Sequence, residues 1–198
     1  MTDQHMRLAS LRKHHEQGFS LIELVAAMVI ATILMAFAVP AMHSYIQNNR
    51  VVSQTNGLLA DLAYARGQAV ATHNYVSICP LATAGGSTCD TSDGSYAQGW
   101  MVYTTTALAT NFDSTTGTVL RVQAAPTTTT VTASSKGILT YDSQGQLWSP
   151  GQNSPTAMSF TVCAQSSGTS TSPIVGTILN VTGSGRAVST GVQNSICG

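Results

Sequence analysis

Polar and apolar positions divide this chain into three zones with different periods. From Leu24 to Met42 every position is uncharged and nearly every one is apolar, 19 residues in all. At about 1.5 Å per residue, a helix of that length spans roughly 28 Å, close to the roughly 30 Å hydrocarbon core of a bilayer. The segment is therefore predicted to cross a membrane. Pro40 falls inside this pattern, where its missing amide hydrogen and the crowded carbonyl of Ala36 predict a kink. Beyond it, Val51, Thr55, Leu58, Leu62, Ala65 and Ala69 recur at alternating spacings of four and three. That is the stripe of an amphipathic helix, expected to pack on the protein's own sheet, with contact to a partner helix as the second use, and to end between Thr72 and Asn74. Gly57 and Gly67 each weaken this helix by about 1 kcal/mol relative to Ala, so tertiary packing must support it.

From Tyr75 onward the period shortens. The candidate strands are Tyr75–Cys79, Trp100–Thr104, Thr118–Val122, Thr129–Ala133, Gly137–Tyr141, Met158–Cys163, Pro173–Val181 and Arg186–Ser189. Between them lie clusters of Gly, Ser, Thr, Asn, Asp and Pro. The spacing predicts an antiparallel sheet rather than βαβ units. The Thr-rich runs at Thr104–Thr118 and Thr127–Thr132 fit either exposed strands or loops.

Charge changes the picture at the amino-terminal end. Residues 1–18 hold Arg7, Arg12 and Lys13 against Asp3 and Glu16. Basic residues before an apolar span keep that side in the cytoplasm and send the rest outward. Glu23 stands at the mouth of the span, where a carboxylate in hydrocarbon costs roughly 2.5–3.5 kcal/mol and is retained with a partner. Ser20-Leu-Ile-Glu23 fits a capping box, which would satisfy orphan amides at the helix start. An acid there also suits neutralising a cationic chain terminus brought beside it.

Gly18-Phe19-Ser20-Leu21-Ile22-Glu23 followed by an unbroken apolar run resembles the class III signal of type IV pilins and type II secretion pseudopilins. The resemblance implies that a prepilin peptidase cuts after Gly18 and that the new terminus, Phe19, is N-methylated. It further implies that Glu23 is needed for filament assembly, pairing with the α-amino group of a neighbouring subunit, and Pro40 matches a proline common in such helices. A conventional signal peptide is the competing arrangement, with Ala36-Phe37-Ala38 as an A-x-A site and Val39 as the released terminus. Glu23 inside the would-be h-region argues against it.

Four cysteines, Cys79, Cys89, Cys163 and Cys197, all lie in the part expected to face the oxidising side. They permit three pairings, of which Cys79–Cys89 and Cys163–Cys197 are preferred, the first closing a Gly/Ser/Asp loop and the second tying the tail to a strand. No C-x₂₋₄-C spacing supports zinc. Adjacent His14 and His15 do not share a helix face, and His5, His43 and His73 are isolated. Asp90 and Asp93 beside Gly94 read as turn formers rather than a calcium loop. There is no G-x-S-x-G, H-E-x-x-H, P-loop or dinucleotide fingerprint, so no enzyme, metal or cofactor is expected.

The segments from Asn48 to Val70, then V-S-I-C-P, Q-G-W-M-V-Y, L-R-V, F-T-V-C and a late G-S-G-R, are similar in order to the GspH/FimT family of minor pilins and pseudopilins. The implied fold is α+β, type IV pilin-like, with a long N-terminal helix packed on an antiparallel β-sheet head. The domains are then a cleaved leader (1–18), a membrane and assembly helix (19–42), its amphipathic continuation (43–74) and a disulfide-tied periplasmic head (75–198). The implied partners are other pilins, the prepilin peptidase, an inner-membrane assembly platform and lipid, and the implied place is at or near a filament tip. Some members bind DNA through a C-terminal G-R-x-R type motif. Here it reads Gly185-Arg186-Ala187-Val188, with the second arginine replaced. Without the leader the chain keeps five basic and six acidic residues, a poor phosphate surface. Arg121, Lys136 and Arg186 are the candidate DNA contacts.

Overall fold

The computed structural model describes residues 19–107, 109, 111–149, 157–165 and 174–197. The leader, Gly18 and Pro173 lie outside the described residues. The chain divides into two units, Met1–Met42 and His43–Gly198. One helix, α1 (Leu21–Thr72), contributes to both.

In the first unit, the Ser20 carbonyl accepts the Glu23 and Leu24 amides at 3.0 and 3.1 Å, which starts the helix. The side chains that follow are apolar and exposed, among them Leu21, Ile22, Met28, Ile33, Leu34 and Phe37. Helical structure continues through Pro40.

In the second unit, α1 buries Val51, Thr55, Leu58, Leu62, Ala65 and Ala69, each 3% exposed or less. This is the stripe read from the sequence. Full burial of a Val or Leu side chain contributes about 1.5–3 kcal/mol, which outweighs the propensity cost of Gly57 and Gly67. At its end, the Asn74 amide donates to the Ala69 carbonyl (3.2 Å) and His73 takes the left-handed conformation, φ 51°. That closing turn is the Schellman type, with His73 where glycine is usual.

Among the described residues ten strands follow: β1 (Tyr75–Pro80), β2 (Trp100–Thr105), β3 (Val119–Gln123), β4 (Thr129–Ala133), β5 (Leu139–Tyr141), β6 (Leu147–Trp148), β7 (Met158–Ala164), β8 (Ile174–Val181), β9 (Ala187–Ser189) and β10 (Gln193–Cys197). They make two antiparallel sheets rather than one. The first has the order β3-β2-β1-β5-β6; the second runs β10-β8-β7-β4, with β9 also paired to β8. The expected strand at Gly137–Tyr141 begins at Leu139 instead, because Gly137 turns with φ 85°. β6 and β10 had no sequence counterpart.

The sheets meet in a common core. Helix residues Leu58, Leu62 and Ala65 join Ile78, Trp100 and Val102 of the first sheet and Val131, Phe160 and Leu179 of the second. Tyr96 sits among them, edge-on to Phe160 (5.4 Å between ring centres) and tilted to Trp100 (5.9 Å). Its hydroxyl donates to the Gly137 carbonyl. The strand edge of β4 is covered by the chain just before Tyr96: the Tyr96 amide donates to Val131 and the Ala133 amide to Gly94, both at 2.9 Å. A smaller cluster of Cys79, Leu81, Met101 and Tyr103 forms with Phe112 and Cys89. β1 is thus buried along nearly its whole length.

Bridges join Cys79 to Cys89 and Cys163 to Cys197, with Cα separations of 5.7 and 5.9 Å. Gly176 of β8 makes room for the second, since a Cβ there would lie 2.3 Å from Cys197 Sγ. The tail strand β10 is therefore fixed to its neighbours both by pairing with β8 and by a covalent link.

Candidate functional site

Three places bring chemistry-bearing side chains into a defined setting. The first is the start of α1. Phe19 is 83% exposed, and Glu23 stands in the first helical turn. Ser20 occupies the cap position, but its carbonyl rather than its hydroxyl takes the Glu23 amide. Neither the Ser20 hydroxyl nor the Glu23 carboxylate has a hydrogen-bond or ionic partner among the described residues, so the reciprocal capping box is not formed. An acid at a helix N-terminus is favoured by the dipole, yet that leaves its lone pairs unfilled. Around it the helix offers only apolar surface: the apolar window is entirely exposed, with mean hydropathy 2.5. What this arrangement can do chemically is accept a cation from another molecule.

The second place is where the helix meets the first sheet. Asp61 is 3% exposed on the inward face of α1. Its Oδ2 accepts the Trp100 indole N–H at 2.9 Å and its Oδ1 accepts Arg121 Nη1 at 2.6 Å. The Arg121 guanidinium also lies 4.2 Å from the centre of the Tyr64 ring. Arg121, one of the candidate DNA contacts, is thus already neutralised and stacked, fixing β3 to the helix. A single acid on a helix normally reads as solvated; the sequence signal of Asp61 is its place next to Leu62 and three residues after Leu58, within the apolar stripe.

The third place is the late G-S-G-R turn. Arg66 Nε donates to the Gly145 carbonyl (2.9 Å) and its Nη2 to the Ser184 carbonyl (3.1 Å). Gly145 closes the β5–β6 turn and Gly185 the β8–β9 turn, with φ of 74° and 76°. A Cβ on Gly185 would fall 1.9 Å from the Gly145 carbonyl oxygen. The glycine is required by both conformation and contact, and the motif serves here as a junction between two turns clamped by the helix. Arg186 follows it, exposed, and lines a hollow of about 190 Å³ with Arg66 and Tyr141. Lys136 lies exposed between β4 and β5. The three candidate cations therefore hang on three separate elements.

No reactive constellation appears among the described residues, and no group of three or more His, Cys, Asp or Glu could hold a metal. Burial pushes the Tyr96 and Tyr141 hydroxyls upward and lifts Tyr103 to about 12. Each is a consequence of packing. Asp90 and Asp113 are lowered by hydrogen bonds from Ser92 and Thr115, which close exposed turns.

The family pattern described as "Type II transport protein GspH" matches residues 54–185, and the "Prokaryotic N-terminal methylation motif" matches residues 13–39. Among solved structures, the type IV minor pilin FimU of Pseudomonas aeruginosa is similar at 24% identity. The match covers 73% of this chain and 90% of that one, with a TM-score of 0.50; a second crystal form gives 72%, 92% and 0.48. At that identity the likeness concerns the fold: a long N-terminal helix packed on antiparallel strands. No curated relative matches the chain.

Proposed function

Since the chain belongs to the GspH family of pilin-like proteins, we propose that it is a membrane-anchored minor pilin or pseudopilin, with Glu23 as the group that sets its register in the filament. A prepilin peptidase removes residues 1–18 and exposes Phe19, whose amine is methylated. The apolar run from Leu24 holds the subunit in the inner membrane with its head in the periplasm until assembly. It then becomes buried among the helices of neighbouring subunits, at or near the tip of a type IV pilus or a secretion pseudopilus.

One observation carries this reading: a carboxylate with no partner among the described residues, set in the first turn of a helix whose following residues 24–38 are exposed and nearly all apolar. Burying it in a filament without a counter-charge would cost several kcal/mol, and the amine of an adjacent subunit's Phe19 offsets that cost only at one axial stagger. The apolar surface supplies the association energy and the acid selects the register. The match to the methylation motif across residues 13–39 supports cleavage after Gly18 over release at Val39.

The test is incorporation of Glu23→Ala into filaments. The variant should insert in the membrane and accumulate normally but be missing from sheared or purified filaments; incorporation at the wild-type level would sink the register role. The DNA-receptor alternative has less support, because Asp61 occupies Arg121 and leaves Lys136 and Arg186 on separate elements. It would require salt-sensitive duplex binding that Arg186→Gln abolishes.

A further inference from the structure

One hollow in the head lies apart from the buried core and the disulfides. It has a volume of about 340 Å³ and is lined by Ile46, Asn49, Arg50, Ser53, Gln54 and Thr128. The five helical residues fall at i, i+3, i+4, i+7 and i+8, one face of α1, and Thr128 reaches them from the chain just before β4.

Resting on the membrane-anchored reading above, we infer that this hollow receives the phosphate of a phospholipid headgroup while the subunit resides in the bilayer. The lining is a set of donors around one cation: the Arg50 guanidinium, the amides of Asn49 and Gln54, and the hydroxyls of Ser53 and Thr128. No acid lines it. Among the described residues the ion pair present is Arg121 with Asp61, so Arg50 has no counter-charge. A guanidinium flanked by neutral donors matches a phosphate, whose oxygens accept several charge-assisted hydrogen bonds at once.

Place along the chain selects the source of that phosphate. Arg50 follows Met42, the last position of the apolar run, by eight residues, or roughly 12 Å of helix. The headgroup layer extends roughly 5–7 Å beyond the hydrocarbon. A long helical side chain leans toward the N-terminus and snorkels, which brings the guanidinium back into that layer. One turn earlier, Tyr45 is 65% and Ile46 41% exposed, aligned with Asn49 and Arg50 at i, i+4. Aromatic and cationic side chains beside the end of an apolar span serve as interfacial anchors.

The experiment uses the full chain in nanodiscs of phosphatidylcholine and phosphatidylglycerol, with a photoreactive side chain at Met28, Ser53 or Ala63 in turn. Lipid adducts are expected at Met28 and Ser53 and not at Ala63. Arg50→Gln should lower the Ser53 yield about fivefold, the effect of one cation near an anionic surface, and leave Met28 unchanged. Normal Met28 adducts with Ser53 no better than Ala63, or a Ser53 yield indifferent to Arg50→Gln, would overturn the headgroup site alone. Loss of Met28 adducts would overturn the membrane reading on which it stands. In detergent without phospholipid, inorganic phosphate should leave the Asn49 and Thr128 amide signals in place; shifts as large as those made by phospholipid would assign the hollow to a free anion instead.

Discussion

Replacing Asp61 by alanine removes the shared acceptor of Trp100 and Arg121. The two donors are affected unequally, and the exposures say which loss dominates. The Arg121 side chain is 44% exposed against 4% for Asp61, so water takes the carboxylate's place at the guanidinium and that half contributes about 1 kcal/mol or less. Trp100 is fully buried, and its indole N–H would be left unmet at about 1–3 kcal/mol. The total is about 3 kcal/mol, which for a chain of this size lowers Tm by roughly 6–12 °C. Asp61→Asn keeps an oxygen for Trp100 and gives up the charge, so its cost should be about 1 kcal/mol. Thermal unfolding of the full chain in detergent with disulfides intact, followed by near-UV circular dichroism, separates the two. If the asparagine variant fell as far as the alanine variant, the indole bond would not be the dominant loss; if both stayed within about 0.5 kcal/mol of the parent, the clamp would not hold the helix to the sheet.

Other sites give sharper, smaller tests. Gly176→Ala places a Cβ 2.3 Å from Cys197 Sγ and 2.9 Å from the Val162 carbonyl, so the Cys163–Cys197 bridge should form incompletely, with free thiols detected by titration and a stability loss of about 2–4 kcal/mol. Thr129 buries its hydroxyl at 1% exposure with no partner among the described residues; Thr129→Val should be neutral or stabilising by up to about 1 kcal/mol in a denaturant melt. The buried tyrosines set an alkaline limit. Burial raises Tyr103 to about 12, and Tyr96 and Tyr141 also rise, so their contribution is complete below the unfolded value near 10 and is lost as pH climbs from about 10 through 12. The denaturant midpoint should hold from neutral pH to about 9 and fall beyond 10, and a midpoint that fails to fall there would contradict the burial.

The parts of the fold that declare themselves are those fixed by local period. Val51 through Ala69 repeat at the helical spacing because one helix face must meet a core, and all six are buried. β1, β2, β4 and β7 carry β-branched or aromatic residues at buried positions and were visible for that reason. β10, reading Q-N-S-I-C, has no such pattern; pairing with β8 and the bridge to Cys163 hold it in place. The split into two sheets depends on which strands find one another across the chain, and the turn at Gly94–Tyr96 that links them carries no periodic mark. Asp61 and Arg66 carry no local mark in the sequence because their partners, Trp100, Arg121, Gly145 and Ser184, lie 39 to 118 residues away. Glu23 was legible from the opposite circumstance: an acid at the head of an apolar run stands out, and it has no ionic partner among the described residues.

The central claim is that a freshly exposed Phe19 amine and Glu23 recognise each other between subunits, which requires that the mature chain begin at Phe19. Intact-mass and N-terminal peptide mass spectrometry of the protein recovered from membranes measures this directly. The account predicts a terminus at Phe19 carrying one added methyl group; a chain that keeps residues 1–18, or one that starts at Val39 without its apolar helix, would contradict it.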